Sequence, residues 1–384
     1  MVLTNKQEQG LRIAIDRYNN KEPWTCIAGY AGTGKSTLVK FIVAALELDD
    51  DDVAYCSFTG KAAQVLSRKG CSNATTAHKL LYRAKMMADG SFVLFPKKRG
   101  DLSYKLIVCD EISMLPANLW NLLLRHNIPI ICLGDPAQLP PIGEDNGVLQ
   151  HPHIFLDEIM RQAQESEIIR LTMEIRENKP LNFRKGNEVI VIPQQEVVTG
   201  MYDWADQVIA ATNKKRKEIN NDMRLLKFGT TFQNEPIVGD KIVSLKNDWN
   251  IINKDGEALV NGSIGYINDI EFEDDVPYYG TKAHCTFMPD SNSGEMNMLL
   301  DYNYLAYGVE TCSKDKFWIF KKNKLAVPHL FDYGYCITCH RAQGSEWDNV
   351  LVFEERFPFD RDEHRRWLYT AATRAAKKLV IVRS

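Results

Sequence analysis

The chain has 384 residues, 45% of them hydrophobic and 25% charged, a composition that excludes a disordered or fibrous protein and fits about two or three folded domains. No run approaches the roughly 18 consecutive apolar residues of a membrane span, and the N-terminal stretch lacks the apolar segment of a secretory signal, so a cytoplasmic location is expected. A formal charge of -3 offers no overall attraction to nucleic acid. Any such surface must therefore be local, at Lys97-Lys98-Arg99, Lys214 to Lys217, the lysines from Lys314 to Lys324, or Arg361 to Arg366.

The opening stretch predicts a helix to about Tyr18, with Thr4 as N-cap and Gln7 three residues later as in a capping box. Trp24 to Ala28 reads as a strand and Lys35 to Leu46 as a helix. Between them Gly29-Tyr30-Ala31-Gly32-Thr33-Gly34-Lys35-Ser36 fits GxxxxGK[ST] and is followed by Thr37. Strand, glycine-rich loop and helix in this order make a phosphate cradle: the glycines let backbone N–H groups face an anion, Lys35 reaches the β- and γ-phosphates, and the Ser36 hydroxyl sits on Mg²⁺. A glycine-rich turn before an ordinary helix is the plain alternative.

Strand Val53 to Phe58, a turn at Thr59-Gly60, helix Lys61 to Arg68 and a short helix headed by Thr75-Thr76-Ala77-His78 continue an alternation of β and α. It pauses between Tyr82 and Tyr104. There the turn signal Asp89-Gly90 and the strand-like Ser91 to Phe95 predict a small projecting hairpin. Tyr104 to Cys109 reads as a buried strand that ends in Asp110-Glu111. Two carboxylates at such an edge suit Mg²⁺ binding by Asp110 and activation of the attacking water by Glu111, although an acidic helix start would look the same. Strand Ile128 to Leu133 then delivers Gly134-Asp135-Pro136-Ala137-Gln138, placing Gln138 to sense a γ-phosphate at the carboxyl edge of the sheet.

Nine cysteines, several in strand-like runs at Cys26, Cys56, Cys109 and Cys132, suit reduced, buried thiols. Cys336-Ile337-Thr338-Cys339-His340 matches the spelling of haem attachment, but it lies in a run that reads better another way and no export signal is seen, so haem is not expected. Zinc is not expected either, for want of a second ligand pair at finger spacing.

The loop GYAGTGKST, the tetrad Asp110-Glu111-Ile112-Ser113 and GDPAQLPPI resemble motifs I, II and III of superfamily 1 helicases. Thr338-Cys339-His340-Arg341-Ala342-Gln343-Gly344-Ser345-Glu346-Trp347 resembles motif V of the RecD-like and Dda-like branch, with Arg341 where lysine is usual, and Tyr369-Thr370-Ala371-Ala372-Thr373-Arg374-Ala375 resembles motif VI. The resemblance implies an α/β fold of two RecA-like P-loop domains, the first carrying a small β-hairpin insertion and the second an SH3-like β-barrel insertion. The corresponding divisions are 1–157, with the hairpin at about 83–104; 158–229 with 330–384; and 230–329 for the barrel.

It implies, too, an ATP- and Mg²⁺-dependent enzyme that moves 5′ to 3′ on single-stranded DNA and opens duplex forks. ATP would be held by Gln7 at adenine, by Gly29, Ala31, Gly32, Thr33, Gly34, Lys35, Ser36 and Thr37 in the loop, and by Gln138, Gly344 and Glu346; Arg161 and Arg374 would act as arginine fingers. DNA would be followed by Thr59 and His78 in one domain and Thr338 and His340 in the other. Phe95 would be the pin aromatic at the fork, with Phe92 competing. A monomer is expected, with single-stranded-DNA-binding or replication proteins as partners that the sequence does not name. An RNA helicase of the Upf-like group and a nucleotide-gated clamp that does not unwind are the competing functions.

Overall fold

The computed structural model describes residues 3–71, 73–86, 92–141, 143–159, 165–229, 235–254, 258–290, 294–355 and 360–383. The chain divides into two compact units, one formed by Met1–Val197 with Ala342–Ser384 and the other by Val198–Arg341.

The first unit holds a six-stranded sheet in the order Thr75–Thr76, Val53–Ser57, Leu106–Asp110, Ile130–Gly134, Trp24–Gly29, Ile154–Leu156. Every pairing in it is parallel, with Cys26 opposite Cys132 and Tyr55 opposite Val108. Parallel strands need crossover connections, and helices on both faces bury them on both sides. The period of two is visible in the burial: Leu106 and Val108 face one core with Leu38, Ile42 and Leu133, while Ile107 and Cys109 face the other with Leu81, Leu119 and Leu123. The strands therefore read as continuous apolar runs, and their polar residues collect beyond the carboxyl ends.

The helix Asn5–Asn19 begins with the expected capping box. Gln7 N–H donates to Thr4 Oγ1 at 3.3 Å and Thr4 N–H to Gln7 Oε1 at 3.0 Å, an arrangement worth about 1 kcal/mol to a helix start. Where a hairpin is expected, Tyr82–Met86 pairs antiparallel with Phe92–Pro96, Arg83 opposite Phe95 and Ala84 opposite Leu94. Its turn Asp89-Gly90 lies outside the described residues.

Later strands of the same unit form a second parallel arrangement. Val189–Pro193 pairs with Ala375–Arg383, which pairs with Trp347–Glu354, and the short Arg184–Lys185 joins antiparallel at the edge. The helices Glu167–Arg176 and Arg361–Ala372 flank it, and Arg365 donates across them to the Arg176 carbonyl at 3.2 Å.

In the second unit the strand Gln207–Ala210 pairs in parallel with Cys336–Thr338. The helix Asn213–Phe228, capped by Thr212, lies against them through Asn220, whose amide bonds both the N–H and the carbonyl of Cys336. Between these strands an antiparallel five-stranded sheet runs Met296–Leu300, Gly280–Pro289, Ile264–Val276, Lys241–Ser244, Phe331–Tyr333. Its core gathers Ile242, Phe287, Leu300 and Phe331. Short strands were expected here, yet the pair Ile264–Val276 and Gly280–Pro289 has 13 and 10 residues, and helices Tyr302–Tyr307 and Phe317–Lys322 follow. None of the nine cysteines forms a disulfide; eight are buried and Cys312 is half-buried.

Candidate nucleotide site and strand-contact residues

The loop after Trp24–Gly29 takes the shape its glycines permit. Gly32 and Gly34 have φ of 76° and 79°, a region open to glycine at little cost. Gly34 stands at the N-cap of Lys35–Ala45, which no side chain caps, so the first N–H groups of that helix are left to an anion. Thr33 Oγ1 donates to the Tyr30 carbonyl at 2.8 Å, and Lys35 Nζ donates to the carbonyls of Gly29 and Tyr30 at 2.7 and 3.0 Å. The ammonium thus folds back over the loop. Ser36 and Thr37, both partly exposed, follow in the first turn of the helix.

Gln7 is fully buried, its Oε1 committed to the helix cap and its Nε2 donating to the Thr33 carbonyl at 3.2 Å. In this arrangement it ties the first helix to the loop. The sequence signal for capping is therefore realised.

Asp110 and Glu111 stand at the end of Leu106–Asp110. Asp110 Oδ1 accepts the Glu111 N–H at 2.9 Å, and Glu111 holds a left-handed backbone, φ 54° and ψ 46°, unusual for a residue with a side chain. Burial, followed by the neighbouring Glu111 charge, pushes the Asp110 carboxyl up to about 6 against the pull of Lys35 and Lys69. Two adjacent acids at a strand end, with Lys35 of the loop close enough to act on Asp110, are a donor set that a divalent cation fits.

Gln138 is 6% exposed. With its amide oriented to satisfy both neighbours, its nitrogen donates to Glu111 Oε2 at 3.3 Å and its oxygen accepts from Arg374 Nη2 at 3.3 Å. The motif II acid, the motif III glutamine and the motif VI arginine, brought from 263 positions apart in sequence (Arg374 less Glu111), meet in one row. Arg374 is itself fixed: Nε donates to the Thr370 carbonyl, Nη1 to the Ser345 carbonyl and Nη2 to Thr373 Oγ1, at 3.0, 3.2 and 3.0 Å. Arg161 lies outside the described residues.

Several residues not singled out from sequence complete the site. One face of Arg361–Ala372 grips the segment after Ile130–Gly134: Thr370 Oγ1 accepts the Leu139 N–H at 3.0 Å, Arg366 donates to the Gln138 carbonyl at 3.3 Å, and Tyr369 donates to Asp135 Oδ2 at 2.6 Å. Gln343 adds a bond to the Leu139 carbonyl at 3.2 Å. Arg176 lies over the Tyr30 ring, 3.4 Å from its centroid, with Phe155 edge-on to that ring. A tyrosine in the buried second half of a helix and an arginine at a helix end gave no signal that distinguished them from core and surface.

Gly344 packs against the start of the helix Gly60–Arg68. Its φ is 74°, and an added Cβ would come 2.8 Å from Ala62 Cβ and 3.0 Å from Thr59 Oγ1, so only glycine fits against that helix start. Glu346 is exposed, between Ser345 and Trp347, whose backbones bond Arg374.

Of the strand-contact candidates, Thr59 caps Gly60–Arg68, its oxygen accepting the Ala62 N–H at 3.2 Å. His78 lies between two rings, 5.9 Å from Phe58 and stacked at 6.1 Å on Tyr82, and burial holds its pKa below the ordinary value, so it is neutral at pH 7. Phe95 is 39% exposed and its neighbour Leu94 50%. In the second unit, Thr338 ends the strand Cys336–Thr338 and His340 is exposed just beyond it.

A family model described as AAA domain matches residues 3–191, and one described as UvrD-like helicase C-terminal domain matches residues 333–382. The ATP-dependent RecD2 DNA helicase of Deinococcus radiodurans is 26% identical over 378 residues, covering 91% of this chain and 45% of that protein. The ATP-dependent DNA helicase dda of Enterobacteria phage T4 is 26% identical over 302 residues, covering 70% of this chain and 68% of its own. The chain is similar over most of its length to ATP-dependent DNA helicases of the RecD2 and Dda kind. It spans a little under half the length of the RecD2 relative. Among solved structures, Bacteroides Pif1 helicase in complex with ADP-AlF3 and single-stranded DNA superposes with a TM-score of 0.57 at 17% identity, over 99% of this chain and 92% of that one, a likeness of the mixed α/β helicase fold with its parallel sheets.

Proposed function

We propose that the protein is an ATP-dependent DNA helicase that moves 5′ to 3′ on single-stranded DNA and parts the duplex ahead of it. The observation that carries this reading is the row Glu111, Gln138, Arg374 beside a phosphate loop. It unites a base for water, a sensor and a cation, the groups that γ-phosphate hydrolysis requires. The relatives named as ATP-dependent DNA helicases, and the neighbour solved with single-stranded DNA, support the same substrates.

In this reading Lys35 leaves the Gly29 and Tyr30 carbonyls for the β- and γ-phosphates, and the N–H groups at the start of Lys35–Ala45 receive the β-phosphate. Ser36 and Asp110 would hold Mg²⁺, which when bound neutralises phosphate charge. Glu111 orients the attacking water and takes its proton. Gln138 aligns Glu111 with Arg374, whose guanidinium offsets the charge that develops at the γ-phosphate; Arg161 is assigned the same role by its motif.

The two-domain plan with divisions at 157/158 and 229/230, the SH3-like identity of the 230–329 insertion and the pin role of the hairpin belong to this proposal. The antiparallel sheet around Ile242 and Phe287 supports the insertion, and the exposure of Phe95 and Leu94 supports the pin. Thr59, His78, Thr338 and His340 are assigned to the DNA strand. The rings of Phe58 and Tyr82 beside His78 would give bases a surface to stack on whatever their sequence.

The deciding experiment offers one duplex with either a 5′ or a 3′ single-stranded tail and follows strand separation with ATP. Separation confined to the 5′-tailed duplex is expected. Separation only from the 3′ tail refutes the direction, and none from either, with ATP turnover intact, refutes the helicase reading in favour of a clamp.

A further inference from the structure

One peptide unit of the phosphate loop is bonded at both edges. The carbonyl of Tyr30 receives Lys35 Nζ at 3.0 Å and Thr33 Oγ1 at 2.8 Å, while the N–H of the same unit, on Ala31, donates to the phenol oxygen of Tyr369 at 3.1 Å. The phenol proton is donated onward to Asp135 Oδ2 at 2.6 Å, and Asp135 Oδ1 holds the Ala137 N–H at 2.9 Å. The next residue is Gln138, between Glu111 and Arg374. A continuous series of hydrogen bonds thus runs from the ammonium that meets phosphate to the glutamine that senses it.

The peptide unit is planar and moves as a whole. A cation on its carbonyl makes its N–H a stronger donor, and bonds in series polarise one another where water is excluded. Tyr369 is 1% exposed, so water is excluded here. A phenylalanine would fill the same space without bringing a buried hydroxyl that must be satisfied. The hydroxyl is thus the feature that packing alone does not explain.

We propose that Tyr369 is a positioning residue that transmits the location of Lys35 to Gln138. With Lys35 on the Tyr30 carbonyl, the Ala31–Tyr369–Asp135 link is strong and holds the segment Asp135 to Leu139 where it stands, Gln138 between Glu111 and Arg374. When Lys35 moves to a phosphate, the link loses its polarising charge and that segment is freed to shift, carrying Gln138 relative to Glu111 and Arg374. The inference rests on the nucleotide-site reading and adds to it the route by which phosphate binding reaches motif III.

The test is a double-mutant cycle on the full chain. Binding of a fluorescent ADP analogue and ATP turnover with single-stranded DNA are measured for the unaltered protein, Tyr369→Phe, Lys35→Ala and the double variant, with thermal melts to confirm folding. Because the link is strongest with Lys35 on the Tyr30 carbonyl and weakens as Lys35 leaves it for phosphate, Tyr369→Phe is expected to tighten binding about three- to tenfold, the scale of one net hydrogen bond. Turnover is expected to fall, a split that loss of packing alone would not give.

In the Lys35→Ala background the same change is expected to shift binding by less than about twofold, the polarising charge being gone. Unchanged or weakened binding by Tyr369→Phe, or an equal shift in both backgrounds, overturns the proposal. Should the phenylalanine variant not fold, Asp135→Asn weakens the link from its other end and carries the same expectations. If Lys35→Ala leaves both nucleotide binding and turnover intact, the nucleotide-site reading itself fails; if it impairs them and Tyr369→Phe has no effect on affinity, only the relay fails.

Discussion

Arg374 illustrates how much a single position is asked to do. Its guanidinium bonds Thr370, Ser345 and Thr373 and reaches Gln138, a fan of contacts that a lysine ammonium at the end of a flexible stem cannot reproduce. Arg374→Ala is expected to lower DNA-stimulated turnover by about 10³ or more, with nucleotide binding changed far less, because the cation acts on charge that appears only during the reaction. Arg374→Lys is expected to recover little of the loss. Steady-state turnover beside equilibrium nucleotide binding checks both, and turnover within about threefold of the original would remove Arg374 from the finger role. At this scale the sequence was informative wherever chemistry is written contiguously. Lys35, Asp110, Glu111, Gln138 and Arg374 sit in short motifs whose residue types have few other uses. Tyr369 and Arg176 were opaque because their partners, Asp135 with Ala31 and Tyr30, are supplied by tertiary packing.

Between residues and the whole, the helix Arg361–Ala372 carries Tyr369 and Thr370 and must be held against its sheet. Glu354 does part of this, accepting from Arg383 Nε at 2.6 Å and lying 3.1 Å from His364 Nε2, so that two strands and the helix share one carboxylate. Burial pushes that carboxyl up, but the bonds from His364 and Arg383 prevail and hold it below the usual range. A depressed acid stabilises the fold above its unfolded pKa, and that contribution is lost as pH falls through the folded value. Melting temperatures recorded from about pH 7 down to about pH 3 are therefore expected to fall less steeply below about 4.5 in Glu354→Gln than in the unaltered chain. Equal slopes would mean that the carboxylate carries no such linkage.

The hairpin Tyr82–Met86 with Phe92–Pro96 gives a second expectation: Phe95→Ala spares DNA-stimulated ATP turnover while cutting unwinding about tenfold, the scale of losing one to three kcal/mol of base stacking. Unchanged unwinding would pass the role to Leu94, which is more exposed. The four longer strands of the first sheet were legible because each is a buried apolar run, whereas the two- and three-residue strands Thr75–Thr76 and Ile154–Leu156 are too short to show a pattern. The long pair Ile264–Val276 and Gly280–Pro289 was not legible either, since Glu271, Glu273, Asp274 and Asp275 are polar and exposed and the strand is held by cross-strand pairing, which local sequence does not display.

For the molecule as a whole, the described residues assigned to nucleotide, from Gln7 to Arg374, all fall in one compact unit, whereas Thr338 and His340 fall in the other. A ligand stabilises what it binds by an amount set by its concentration over Kd, about 2.7 kcal/mol at a hundredfold excess. Calorimetry with Mg²⁺ and ADP is therefore expected to raise the melting of the unit Met1–Val197 with Ala342–Ser384. If unfolding resolves into two transitions, the one belonging to Val198–Arg341 should stay within about a degree of its position without ligand; a larger rise in that transition would place nucleotide contacts there as well. This division was only half legible: the motifs were plain in sequence, but the grouping of Ala342–Ser384 with the N-terminal segment depends on contacts across hundreds of positions. The reduced cysteines have a practical consequence. Cys312 alone is within reach of a reagent, and burial, with Asp301 nearby, pushes its thiol up, so a maleimide dye should attach there, slowly at neutral pH and faster in mild alkali. That gives an optical reporter on the unit bearing His340 with no engineering. Heating past the melt frees the other eight sulfurs to cross-link, so a scan run without reductant will not retrace itself on cooling.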